Sequence, residues 1–158
     1  MSTTCFSLVP SFAVESAAPG HHRNLSPSEL RSATTPWGVP DLCQVFLPGI
    51  CLYHTPSHGG FHLSSTRMAQ LPKALSSFPT FNGHVGWFEE DCDWCYAVLG
   101  FPRVFSDRLL DSAFKQALGN AAMGPRYQSV ATWLQSSAEA SFLRERVAQM
   151  KPEALKVD

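Results

Sequence analysis

Residues 42–53 read Leu-Cys-Gln-Val-Phe-Leu-Pro-Gly-Ile-Cys-Leu-Tyr. Two apolar runs, Leu42 to Leu47 and Ile50 to Tyr53, flank the dipeptide Pro48-Gly49, which is a turn signal between strands. This stretch therefore predicts a β-hairpin. The alternation of apolar and polar residues from Phe61 to Ser64 predicts that a further strand follows the hairpin.

Helices are predicted on both sides of these strands. The pattern of a capping box at Ser26 to Glu29 predicts a short helix from Pro27 to Ala33. After residue 93, apolar residues recur every three or four positions, which is typical of amphipathic helices. The further helices are predicted over Ser64 to Leu75, Trp94 to Leu99, Leu109 to Leu118, Tyr127 to Leu134 and Ser137 to Met150.

The boundaries of the later helices have their own chemical signals. Ser106 is a predicted N-cap and Gly119 a predicted end for the helix between them. In the last helix, the residues predicted to face inward are Phe142, Leu143, Val147 and Met150. Because strands precede helices along the chain, we predict an α+β fold, in which a small antiparallel sheet from the N-terminal half packs against C-terminal helices.

Length and composition indicate one domain. The chain has 158 residues, of which 44% are hydrophobic and 16% charged. This length suffices for a hydrophobic core, so residues 1–158 are predicted to form a single domain, with residues 1–33 as an extended arm. The charged fraction lies below the roughly 25% that is typical of soluble proteins. Such a surface favours contact with another protein chain and is compatible with a homodimer.

Charge and motifs exclude several classes of function. The net charge is −1 and Lys and Arg form no run, so direct nucleic-acid binding is not expected. The sequence shows neither a signal peptide nor a membrane-spanning apolar stretch, and its five cysteines suggest reduced thiols, so a cytoplasmic protein is predicted. Because nucleotide-binding fingerprints are missing, no cofactor is assigned.

Three histidines, His54, His58 and His62, are spaced every four residues. On a continuous helix they would share one face and suit a metal, but Pro56 and Gly59-Gly60 are incompatible with that helix. No metal ligands are therefore assigned. A hairpin connection is predicted at Ser57 to Gly60, where a reversal at the two glycines, with positive φ angles, would instead bring His58 or His54 near His62.

The sequence Glu-Glu-Asp-Cys-Asp at residues 89–93 is the densest acidic cluster. Its first three acids are predicted to form the first turn of a helix, where they complement the helix dipole. Asp93 precedes an apolar stretch, and a buried acid there would need a partner. If this segment met the histidine turn, His58, Glu90 and Asp93 would form a catalytic set in which a carboxylate orients a neutral imidazole as general base.

The cysteine pair and the tryptophans can each serve either the core or a functional site. Cys92 and Cys95 have the spacing of redox dithiols, but packing of small buried residues is the favoured interpretation. Trp37, Trp87 and Trp94 are predicted to share an aromatic wall, which would serve either the core or recognition. The predicted binding residues are Trp37, Trp87, Tyr127 and Trp133.

Two sequence blocks carry a family resemblance. They are His-Thr-Pro-Ser-His-Gly-Gly-Phe-His-Leu-Ser at residues 54–64 and Gly-Trp-Phe-Glu-Glu-Asp-Cys-Asp-Trp at residues 86–94. From Trp37 to Phe105, the chain resembles an uncharacterised bacterial domain family found in proteins of phages, plasmids and other mobile elements. Cys95 replaces the small apolar residue usual in that family, which argues against a shared redox site.

The resemblance implies a function through biological context, since the family has no assigned activity. Small, near-neutral proteins of mobile elements often bind and block a host defence component. The resemblance therefore implies an inhibitor of a bacterial defence protein, such as an anti-CRISPR or antirestriction protein. The alternative is a small metal-assisted or general-base hydrolase that uses His58, Glu90 and Asp93. A third interpretation is a module that self-associates through an apolar face.

Overall fold

The computed structural model describes residues 23–76, 78 and 81–150. Most of the predicted arm lies outside these residues, and its described end contains strand β1 (Arg23–Asn24) and helix α1 (Pro27–Ser32). The predicted capping box is confirmed, because the Ser26 hydroxyl accepts from the Glu29 N–H while the Ser26 N–H donates to the Glu29 carboxylate. Glu29 also pairs with Arg23, which ties α1 to the first strand.

A five-stranded antiparallel sheet forms the first half of the fold, with its strands in the order of the sequence. Each strand pairs with the next one along the chain, so the sheet is a meander. The hairpin predicted at residues 42–53 is confirmed, with Cys43 opposite Tyr53 and Gly49 at a positive φ of 83° in the turn. After β1, the strands are β2 (Leu42–Leu47), β3 (Ile50–His54), β4 (Gly59–Leu63) and β5 (Trp87–Glu89).

The turn between β3 and β4 differs from the prediction. The Thr55 N–H donates to the His58 carbonyl, and the His58 N–H donates to the Thr55 hydroxyl at 3.1 Å. Gly59 and Gly60 belong to β4 and lack the expected positive φ angles, so the predicted reversal at these glycines is wrong. At Gly60 the small residue is needed for another reason, because a Cβ atom would overlap the Phe88 carbonyl oxygen.

The sheet has two faces because side chains alternate along each strand. One face is buried against the helices, and the opposite face, called the outer face below, carries the alternate residues. The buried face presents Ile50, Leu52, Phe61, Leu63 and Phe88. The outer face presents Cys51, Tyr53, His62, Trp87 and Glu89.

Helices form the second half and close the core. The segment from Ser64 to Leu75, predicted as one helix, forms two short helices. Ser106 caps the helix that follows it, as predicted, because its hydroxyl accepts from the Leu109 N–H at 3.3 Å. The helices after α1 are α2 (Ser65–Met68), α3 (Lys73–Ser76), α4 (Trp94–Gly100), α5 (Asp107–Gly119), α6 (Pro125–Ser136) and α7 (Ser141–Gln149). Short 3-10 helices span Phe81–Gly83, Asn120–Met123 and Ala138–Ala140.

Helix α4 lies between the sheet and the other helices. It contacts β4 and β5 on one side and α5 on the other, and every residue from Trp94 to Leu99 is buried. The prediction that α4 is amphipathic is therefore wrong, because neighbours cover it on all sides. In α7, Leu143 and Val147 are buried as predicted, whereas Phe142 is 44% exposed and does not face inward. Strands followed by helices around one core confirm the α+β class.

Candidate functional site

The histidine turn and the acidic segment meet at the end of the outer face. His58 Nδ1 lies 3.8 Å from Glu89 Oε1. His58, Glu89 and Asp91 each offer one ligand atom, and these three atoms all lie within 4.8 Å of one another. The pairing of β4 with β5 brings the two segments together, since Gly60 is opposite Glu89 in the sheet.

The local structure of the acidic segment explains which acids reach His58. Glu89 ends β5, residues 90–93 form a turn, and α4 begins only at Trp94. The prediction that residues 89–91 form a first helical turn is wrong, because β4 offers a strand partner to the chain before the helix can start. Strand geometry then directs the Glu89 side chain to the outer face, beside His58.

The Glu89 carboxylate sits in an unfavourable place for a negative charge. Burial raises its pKa, and the neighbouring charge of Asp91 raises it further. Two groups act in the opposite direction: the Cys92 thiol, which donates to Oε2 at 3.5 Å, and the imidazole of His58. Glu89 is thus an oriented, 15% exposed carboxylate that gains from a positive neighbour.

The other two members of the predicted catalytic set have different surroundings. The Glu90 N–H donates to the Gly59 carbonyl, and the Glu90 carboxylate and the His54 imidazole both lie beside Gly59. Asp93 interacts with Arg126 and Tyr127 of α6, and burial raises its pKa despite these two partners. The structure thus groups His58 with Glu89 and Asp91, and the catalytic role of Glu90 and Asp93 stays a prediction.

The thiols of the C-x-x-C sequence favour packing over redox exchange. Cys95 is fully buried, and its thiol donates to the Cys92 carbonyl at 3.4 Å. Burial raises the pKa of Cys92 to about 12 and raises the pKa of Cys95 well above its ordinary value. A nucleophilic redox thiol needs the opposite shift.

Part of the predicted aromatic wall exists on the outer face. The Trp37 ring meets the Trp87 ring edge-on, with centroids 5.6 Å apart, and also lies 5.2 Å from the Phe81 ring. Trp87 in turn packs on His62, at a centroid distance of 4.5 Å. Trp94 is buried in the core instead. The contributions of Phe81 and His62 were not predicted, because the sheet pairing that collects these rings is not visible in sequence spacing.

Two loop valines that lie close to these rings in the sequence are exposed. Val39 is 65% exposed and follows Trp37 by two positions, while Val85 is 72% exposed and precedes Trp87 by two. We call Trp37, Val39, Phe81, Val85 and Trp87 the outer-face patch. Its members come from two loops and from the last strand, β5, which ends at Glu89 of the His58 cluster.

The comparisons with known proteins give a family and no activity. Residues 30–154 match the model of a family described as a domain of unknown function (DUF7007). The chain belongs to this family. The match includes α5, α6 and α7, so the family domain extends beyond the resemblance noted from Trp37 to Phe105. No curated protein and no solved structure matches the chain.

In this DUF7007 domain, the two remaining predicted binding residues lie on α6. Tyr127 is only 8% exposed and packs on Phe78, with ring centroids 5.2 Å apart. Trp133 is half-buried, and its indole N–H donates to Glu139 at 3.0 Å. Both residues have structural contacts, and their binding role stays a prediction.

Among residues 23–76, 78 and 81–150, no helix is long and apolar enough to cross a membrane.

Proposed function

We propose that the protein is a mobile-element inhibitor that binds a bacterial defence protein, as anti-CRISPR and antirestriction proteins do, and that the outer-face patch is its binding surface. The observation that carries the proposal is the exposure of Val39 and Val85, 65% and 72%, each two positions along the chain from one of the paired rings of Trp37 and Trp87. The inhibitory role itself is supported by the resemblance to proteins of phages and plasmids.

The physical case for protein binding rests on the chemistry of the patch. Protein interfaces concentrate their binding energy in a few aromatic anchors that are surrounded by apolar contacts. Trp37 and Trp87 already hold each other in place, so little side-chain entropy is lost when a partner covers them. Val39 and Val85 would contribute apolar area at about 25 cal/mol per Å² removed from water.

The test combines capture of a partner with protection of a phage. The tagged full chain should retain a restriction or CRISPR protein from a lysate and raise phage plating on a host that carries that system. Val39→Asp/Val85→Asp should abolish both effects, because a charge at the interface centre loses its hydration. Met123→Asp, at a residue that is 49% exposed outside the patch, should keep both effects.

Two outcomes contradict the proposal. In the first, the wild-type chain leaves plating unchanged on hosts with restriction and CRISPR systems. In the second, sedimentation shows that the patch is occupied by a second copy of the chain, in a homodimer that Val39→Asp/Val85→Asp disrupts.

A second candidate function is supported by the contact between His58 and Glu89. The Glu89 carboxylate lies 3.8 Å from Nδ1, close enough to orient a neutral imidazole, which is what a general-base hydrolase requires. With Asp91, the same two side chains offer ligands to the ion of a metal-assisted hydrolase. Glu89 thereby takes the place that Glu90 and Asp93 hold in the sequence-based hypothesis. Hydrolysis of phosphoester and ester substrates by the wild type, lost in His58→Ala, would support this candidate, and equal rates for both proteins would exclude it.

A further inference from the structure

The cluster of His58, Glu89 and Asp91 combines different ligand types from two chain segments. An imidazole nitrogen and two carboxylate oxygens lie within 4.8 Å of one another. His58 is held at the turn before β4, because its N–H donates to the Thr55 hydroxyl and its carbonyl accepts from the Thr55 N–H. Glu89 is held by strand pairing opposite Gly60. The backbone positions of His58 and Glu89 are therefore fixed before any ion binds.

The distances approach those of a metal centre. Two ligand atoms bound to a tetrahedral Zn²⁺ ion at about 2.1 Å lie about 3.4 Å apart. The separation of His58 Nδ1 and Glu89 Oε1 is 3.8 Å. The His58 side chain is 46% exposed and Asp91 is exposed, so small side-chain rotations would close the remaining gap around the more buried Glu89.

Cys92 supplies an outer hydrogen bond to the cluster. Its thiol donates to Glu89 Oε2, while Oε1 of the same carboxylate faces His58. Ligand carboxylates in metal sites are commonly oriented by such hydrogen bonds from residues that do not touch the metal. The thiol therefore presents one defined oxygen of Glu89 to an ion beside His58.

We propose that His58, Glu89 and Asp91 bind one divalent transition-metal ion of the zinc class. An imidazole nitrogen among the ligands favours Zn²⁺, Fe²⁺ or Ni²⁺ over Ca²⁺ and Mg²⁺, which prefer oxygen. Three protein ligands leave a coordination position to solvent, as in catalytic zinc sites. The inference does not depend on the proposed inhibition, and it would supply the hydrolase candidate with its metal.

Calorimetric titration of the metal-free full chain with Zn²⁺ tests the site. We expect saturable binding of one ion per chain near neutral pH. His58→Ala and Asp91→Asn should each raise the dissociation constant at least about tenfold. The matched controls His84→Ala and Asp41→Asn, at an exposed histidine and an exposed aspartate elsewhere, should leave it unchanged. Circular dichroism of each variant separates lost binding from lost folding.

A second titration with Co²⁺ identifies the ligand atoms, because the cysteines of the chain also attract such metals. Nitrogen and oxygen ligation gives weak visible bands alone, which is the expected result. A strong thiolate-to-cobalt charge-transfer band would place the ion on cysteine and overturn the proposal. Equal affinity of the wild type, His58→Ala and Asp91→Asn, or absence of saturable binding, would also overturn it, whatever the outcome of the phage-plating test.

Discussion

Asp93 is a half-buried carboxylate whose partners lie far along the chain. Its neighbours in the sequence suggest a buried acid in need of a partner, but only the packing of α6 identifies Arg126 and Tyr127 as the groups that face it. One carboxylate oxygen, Oδ1, is buried without a hydrogen-bond partner among the described residues. A buried polar atom without a hydrogen bond loses its hydration, so Asp93 lowers the free energy of unfolding.

Replacing Asp93 by Asn should stabilise the protein near neutral pH. Burial raises the pKa of Asp93 in the folded state, so folding favours the protonated form, and this contribution is present at low pH and lost as the pH rises through the folded-state pKa. Asp93→Asn should therefore raise the urea midpoint at about pH 7 and lose this advantage at about pH 3. Asp41→Asn, at an exposed residue, is the control. A lower midpoint at neutral pH would show that the attraction of Arg126 outweighs burial.

Asn120 is a buried amide that connects three parts of the core. Its side chain is 3% exposed and donates to the Cys92 carbonyl at 2.9 Å and to the Tyr96 hydroxyl at 3.1 Å. Asn120→Ala leaves both acceptors without this donor, and we expect a loss of about 2 kcal/mol in the free energy of unfolding, measured in urea. Gln128→Ala, at an exposed residue of α6, should change stability by less than about 0.5 kcal/mol. Equal effects would refute the structural role of Asn120.

At the scale of elements, local chemistry predicted boundaries better than it predicted burial. The Ser26 and Ser106 caps and the Pro48-Gly49 turn depend on neighbouring residues alone, and the structure confirms them. The burial of α4 on all sides could not be predicted, because it depends on strands and helices that are distant in sequence. The turn at Thr55 to His58 lies two residues before the connection predicted at Ser57 to Gly60, because the Thr55 hydroxyl closes it and the glycines join β4.

The pairing of β4 with β5 should fail when Gly60 gains a side chain. A Cβ atom there would overlap the Phe88 carbonyl oxygen and lie 2.6 Å from the Trp37 ring, so β5 would have to move. We expect Gly60→Ala to destabilise the fold by about 3 kcal/mol. At Gly119 a Cβ would meet nothing within 4 Å, so Gly119→Ala should stabilise α5 by about 0.5–1 kcal/mol. Thermal unfolding of both variants provides the comparison, and a tolerated Gly60→Ala would contradict this account.

At the scale of the whole molecule, the site arises from topology. Sequence reasoning identified the histidine turn and the acidic segment as the places where chemistry concentrates. It paired His58 with Glu90 and Asp93, whereas strand register places Glu89 beside the imidazole. Because side chains alternate along a strand, a shift of one residue in the pairing of β5 would exchange the inward-facing and outward-facing side chains. Which of the adjacent acids faces His58 therefore depends on where β5 ends.

The pH dependence of global stability should report on the outer face through His62. This ring packs on Trp87, and burial lowers its pKa below the ordinary value. The folded state then binds fewer protons than the unfolded state, so the contribution of His62 is present above the unfolded-state pKa of about 6.5 and is lost as the pH falls through the folded-state pKa. We expect the free energy of unfolding of the wild type to fall relative to that of His62→Phe, which keeps an aromatic ring against Trp87, between about pH 7.5 and about pH 5.5. His84→Phe, at an exposed histidine, should retain the wild-type slope. If the free energy of unfolding changed with pH equally in His62→Phe and the wild type, the outer face would be hydrated well enough to accept a charged imidazole. That result would contradict the apolar character that protein binding by this face requires.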